Sequence, residues 1–117
     1  IGSPAMNFVT GTMIPSGFRT ADGVLLPTLD QPADAVTYGM RPEHIHLDPD
    51  GIEIEIVVVE PTGSETMTIA KLGKQTITCV FRERIRVQPG EIIRVSPDIS
   101  TIHLFDEAGN SIGSRRM

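Results

Sequence analysis

No window of this 117-residue chain sustains a 3.6-residue apolar period, and that absence constrains the fold more than any motif present. In its place run short stretches of alternating apolar and polar residues, each closed by Gly, Pro, Asn or Asp. Ile52-Glu53-Ile54-Glu55-Ile56 alternates most cleanly and marks a half-exposed strand that continues through Val57, Val58 and Val59. Asn7 to Ile14 gives an earlier strand, with Gly11 as a bend or bulge. Phe18-Arg19-Thr20 and Val24-Leu25-Leu26 flank a turn at Ala21-Asp22-Gly23. Asp30 to Asp34, holding Pro32, is a loop, and Asp48-Pro49-Asp50-Gly51 is a strong turn signal. Pro61-Thr62-Gly63-Ser64 turns the chain into a strand from Glu65 to Leu72, and Gly73-Lys74 connects it tightly to Gln75–Phe81. Arg82 to Val87 should continue extended before a turn at Gln88-Pro89-Gly90-Glu91. Ile92 to Ser96 and Ile102 to Phe105 close the series, with Ala108-Gly109-Asn110 turning towards Ile112. About nine to eleven short strands at turn-marked intervals predict an all-β fold of small barrels, with single-turn helices only.

The sharpest local feature is Tyr38-Gly39-Met40-Arg41-Pro42-Glu43-His44-Ile45-His46-Leu47. A strand from Ala35 to Met40 arrives, and Pro42, with fixed φ and no N–H, suits the first position of one helical turn. Glu43 would sit against the free N–H groups of that turn, and Ile45 and Leu47 then resume alternation. The pattern repeats faintly downstream. Strand, Pro97-Asp98 and Ile102-His103-Leu104 follow the same order with two extra residues between. Two related half-units ending in the same corner are expected.

Charge and composition narrow the function classes. Ten basic and fifteen acidic residues give a net charge of −5, with four Phe, one Tyr and no Trp. A groove for nucleic acid needs basic charge and exposed aromatics, and this chain is short of both. Residues 30–65 hold nine acidic residues against Arg41 alone, whereas residues 66–97 hold six basic against two acidic. Blocks of opposite sign can align faces within one fold or between two copies. The lone cysteine, Cys79, excludes an internal disulfide and alternates in phase with Ile77 and Phe81, as a buried apolar residue would. No signal peptide and no apolar run near 18 residues is present, and the chain opens mid-motif at Ile1, as a fragment would.

Few residues offer chemistry. Nucleotide hydrolysis needs a glycine-rich phosphate loop ending in Gly-Lys-Ser/Thr, and the sole Gly-Lys here, Gly73-Lys74, is followed by Gln75. His44 and His46 form an H-x-H pair that would need His103 or Asp48 to complete a metal site, and the reading favoured is no metal. Ser64 beside Glu65 has no histidine assigned to it. Arg41 either ties the corner to a neighbouring strand or, with Glu43, shapes a surface meeting another protein. Gly63, Ser64 and Glu65 are candidates for the same surface.

The order G-[apolar]-R-P-E-H at Gly39–His44 resembles the signature of the C-terminal regulatory domain of ATP-binding subunits from carbohydrate-importing ABC transporters, the maltose-transporter type. Ile1-Gly2-Ser3-Pro4-Ala5-Met6-Asn7-Phe8 looks like the junction after the ATPase domain in that family. Val58-Val59-Glu60-Pro61-Thr62-Gly63-Ser64-Glu65-Thr66 is similar to its V-V-E-x-x-G-x-E-T block, and His103-Leu104-Phe105-Asp106 to its closing H-L-F-D. The resemblance implies one transport-associated OB-type (TOBE) domain over residues 1–117, built as two OB-like Greek-key barrels side by side. It implies a non-catalytic regulatory and dimerisation module with no cofactor of its own, ATP and Mg²⁺ belonging to an upstream ATPase domain. Its partners would be a second copy, the transporter's membrane subunits through that upstream domain, and a regulatory protein, on the cytoplasmic face of a bacterial membrane. Interface candidates are Arg41, Glu43, His44, Gly63, Ser64, Glu65, His103, Phe105 and Asp106. A rival reading is a small-anion module in which Arg82, Arg84, Arg86 and Arg94 hold the ligand.

Overall fold

The computed structural model describes residues 4–113; Ile1-Gly2-Ser3 of the junction stretch and the last four residues lie outside the described part. Ten strands follow in order: β1 (Asn7–Ile14), β2 (Gly17–Thr20), β3 (Leu25–Leu26), β4 (Thr37–Met40), β5 (Ile45–Thr62), β6 (Glu65–Leu72), β7 (Gln75–Phe81), β8 (Ile92–Pro97), β9 (His103–Phe105) and β10 (Ser111–Ile112). The helical content of the described residues is two single 3-10 turns, Pro42–His44 and Ile99–Thr101. The fold is all-β, as the alternation predicts.

Six strands form one antiparallel sheet in the order β10-β9-β4-β1-β2-β3, and four form another in the order β7-β6-β5-β8. The second is a Greek key, because β5, β6 and β7 run as consecutive hairpins and β8 returns to lie beside β5. Strand β1 changes partners midway, pairing with β4 over Asn7–Thr10 and with β2 over Gly11–Ile14. Gly11, the expected bend, is where the switch falls.

Both sheets bury one face in a common core. Phe18, Tyr38, Leu26 and Leu104 come from the six-stranded sheet, and Ile54, Ile56, Leu72, Ile77, Cys79 and Phe81 from the four-stranded one. The Phe18 and Tyr38 rings lie tilted with centroids 5.5 Å apart, and the Tyr38 hydroxyl donates to Pro27 O at 2.7 Å. That bond satisfies the one polar atom of an otherwise fully buried side chain. Cys79 is buried in phase with Ile77 and Phe81, and burial pushes its thiol up to about 12, so it is an inert apolar filler.

Two expectations fail for instructive reasons. Asp48–Gly51 is not a turn between strands but part of β5, which runs through it for 18 residues. The stretch bulges, so that Leu47 and Ile52 both pair with Val95 of β8. Asp48 makes the bulge, accepting from Asp50 N at 2.9 Å and from the Ser96 hydroxyl at 2.7 Å. Glycine is needed at 51, where a Cβ would lie 2.2 Å from Val95 O. Arg82–Val87, expected to continue extended, joins no strand. Thr66 holds it instead: its hydroxyl donates to Glu83 O at 3.0 Å and accepts from Ile85 N at 3.2 Å. A buried side chain thus takes the place of a strand ladder.

Candidate functional site

The chain crosses between the two sheets at two corners. At the first, β4 enters the 3-10 turn Pro42–His44 and leaves as β5; at the second, β8 enters Ile99–Thr101 and leaves as β9. The partners interchange, because β4 pairs with β9 in one sheet and β5 pairs with β8 in the other. The two crossings therefore lie side by side, tied by a hydrogen bond from Asp98 N to His44 O at 2.9 Å. The faint sequence echo is a real structural repeat.

The corners are stabilised differently. Pro42 sits buried at the first position of its turn, which has no side-chain cap. The second turn starts at Asp98, whose carboxylate accepts from Ser100 N at 3.1 Å and from the Ser100 hydroxyl at 2.7 Å. Those bonds, the hydroxyl foremost, hold the Asp98 carboxyl below its ordinary value. Asp48, bonded to Ser96, and Asp22, bonded to Thr20, are lowered in the same way. All three carboxylates staple turns or bulges, so their perturbation is structural in origin.

Between the corners opens a cavity of about 730 Å³. Arg41 and His44 line it from the first corner, Ile99 to His103 from the second, and Leu29, Asp30 and β10 complete the wall. Arg41 is exposed, and its guanidinium has no hydrogen-bond partner among the described residues, so it does not tie the corner to a strand. His44 Nδ1 is buried and likewise unpartnered. Gly39, just before the corner, leaves room for Met6 and Phe105; a Cβ there would lie 2.7 Å from Met6 Sδ and 3.1 Å from the Phe105 ring.

The remaining candidates scatter. Glu43 shares the first turn but does not line the cavity. Gly63 and Ser64 form the exposed tip of the β5–β6 hairpin, where Gly63 has φ 67° and its carbonyl accepts from Arg84 at 2.8 Å. Glu65 opens β6 opposite Thr62. Phe105 packs edge-on against Phe8 and stacks with His103. Asp106 organises the β9–β10 turn by accepting from Ala108 N and Asn110 N. Of the rival arginine set, Arg84 is engaged at Gly63, and Arg94 bonds Gly51 O and pairs with Glu53 at 2.7 Å. That pair joins the acidic and basic blocks within one molecule. Among the described residues no three His, Cys, Asp or Glu side chains converge as a metal-binding group.

Residue-type reading missed the contacts that join the sheets. The Asn7 amide donates to Thr78 O and accepts from Thr78 N, both at 2.8 Å. The Gln75 amide returns the contact, accepting from Thr10 N at 3.0 Å and donating to Thr10 O at 3.3 Å. Each side chain substitutes for a strand residue, β1 clamping β7 and β7 clamping β1. Asp22, accepting from Lys74 N, links the β2–β3 turn to the β6–β7 hairpin. A polar residue at an inward strand position, such as Asn7, is the one signal that could have flagged the clamp.

Two sheets joined at paired corners, with short turns in place of helices, make this an all-β domain of the OB-fold type. The chain belongs to the TOBE domain family: the family model for the TOBE domain matches residues 38–105, and that for the MalK OB fold domain matches residues 2–45. It is 44% identical over 113 residues to an uncharacterized ABC transporter ATP-binding protein, y4oS, of Sinorhizobium fredii, covering 91% of this chain and 30% of the relative. The sulfoquinovosyl glycerol transport ATP-binding protein SmoE of Agrobacterium fabrum is 32% identical, covering 91% of this chain and 33% of its own length. The sn-glycerol-3-phosphate import ATP-binding protein UgpC of Bordetella avium is also 32% identical, with 84% of this chain and 30% of the relative covered. The chain thus spans about a third of the length of the curated relatives it matches.

Proposed function

We propose that residues 1–117 form a non-catalytic regulatory and dimerisation domain of the ATP-binding subunit of a sugar-import ABC transporter. The observation that carries this reading is the TOBE match over residues 38–105, together with the chain's similarity to ABC transporter ATP-binding proteins. The nucleotide and Mg²⁺ chemistry would belong to an ATPase domain upstream, which would also contact the membrane subunits on the cytoplasmic side. No helix among the described residues is long and apolar enough to cross a membrane.

The body suits a scaffold. Two sheets clamped by reciprocal amides keep their shape while attached domains move around them. The outward face of β5–β6 supports self-association: Val58 and Ile69 are paired neighbours and exposed, with Met67 beside them. Apolar side chains in a row on a solvent face are the composition of an interface core. Sedimentation velocity on the chain over a rising concentration series tests the reading. A reversible dimer weakened by Val58→Asp is expected, and a monomer at every concentration overturns the dimerisation part. The regulatory part is tested on the full-length subunit, where deleting the domain should change ATPase control by substrate and leave basal hydrolysis in place.

A further inference from the structure

We propose that the cavity between the two corners binds a small hydroxylated anion: one carboxylate or phosphate head on a short polyol body. Its volume of about 730 Å³ lies within the range that encloses small molecules. The head group has one cation waiting on the wall. Arg41 stands exposed there with a guanidinium that no described residue engages, and its fork fits the oxygens of a carboxylate or phosphate. His44 lines the same wall, but its Nδ1 is buried beneath the surface and is not offered to a ligand. His103 faces the same space from the other corner.

The rest of the wall favours a body with hydroxyls over a bare ion. Asp30 lies on it, so a dense polyanion meets like charge there. The Thr101 hydroxyl donates to Asp98 O at 2.8 Å, which leaves its lone pairs to accept from a ligand hydroxyl. Ile102 and Leu104 supply an apolar floor for a carbon chain. The arginine block at 82–94 makes no comparable site, since two of its four members are already spent on Gly63, Gly51 and Glu53. The proposal needs one copy of the chain and is independent of dimerisation.

An amide-detected NMR titration of the chain with gluconate, ribose 5-phosphate, inorganic phosphate and glycerol tests it, the first two separating carboxylate from phosphate heads. Saturable shifts confined to residues 41–46 and 99–104 are expected with at least one hydroxylated anion. Phosphate and glycerol should each bind about tenfold more weakly or not at all, because each supplies half of the recognised chemistry. Arg41→Gln should weaken binding about tenfold with the amide dispersion kept. Should that variant not fold, His103→Gln replaces it and should also weaken binding. Shifts that scatter, shifts that map to residues 82–86, or a folded Arg41→Gln that binds as tightly as the parent would overturn the site.

Discussion

Ile45-His46-Leu47 and Ile102-His103-Leu104 are the same three residues, each following a proline-marked corner, yet the fold buries them oppositely. In the first triplet Ile45 is 3% exposed and Leu47 is 40% exposed; in the second Leu104 is 4% exposed and Ile102 only half-buried. The cause is what comes next. Leu47 runs straight into the Asp48–Gly51 bulge, which lifts the chain off β8, whereas Leu104 lies centrally in β9 with β4 on one side and β10 on the other. A repeated motif specifies a repeated backbone path. Which of its side chains enters the core is decided by the neighbours that path acquires.

The largest expected effect tests this inversion directly. Ile45→Ala and Leu104→Ala should each cost about 2–4 kcal/mol in urea unfolding, while Leu47→Ala should cost less than about 1. Equal losses at Leu47 and Leu104 would mean the two triplets are equivalent after all. Next comes the question of whether corners alone hold the sheets together. Asn7→Ala removes both bonds to Thr78 from a buried position, so a loss of about 2–3 kcal/mol is expected from the same unfolding measurement. Gln75→Ala, at a more exposed site, should lose less, and the reverse order would reassign the main clamp.

Tyr38→Phe probes the strand that feeds the first corner. It leaves Pro27 O without its donor and should lower stability by about 1–2 kcal/mol with the fold unchanged by circular dichroism. The smallest effect separates the corners by pH. Asp98 is held below its ordinary value, so its cap stabilises the folded chain above the unfolded aspartate pKa and is lost as pH falls through the folded value. The Pro42 turn has no side-chain cap to lose. Melting followed over about pH 5 to 2 should therefore show part of the acid limb flattened in Asp98→Asn, with Asp22 and Asp48 supplying what remains.

Local rules made the strands, the Pro42 corner, the β5–β6 and β6–β7 hairpins and the burial of Cys79 legible, because alternation and turn chemistry act within a few residues. The Asp48–Gly51 bulge was not legible, since its Asp-Pro-Asp-Gly composition is that of a turn. What made it a bulge was a distant strand, β8, waiting to pair on both sides of it. The sequence marked Arg41, His44 and His103 as separate candidates, and their meeting at one cavity depends on the exchange of partners between the two corners. The Asn7–Thr78 and Gln75–Thr10 contacts span 71 and 65 residues, beyond any pattern read along the chain.

The amide of Asn7 has an effect on how copies of this chain can assemble. It occupies the hydrogen-bonding groups of Thr78 on the side of β7 turned away from β6. A strand arriving from another molecule would have to evict that amide before it could add to the sheet. Growth into filaments by sheet extension is blocked at this margin, so a second molecule meeting the four-stranded sheet beside β7 must use a face there rather than that edge.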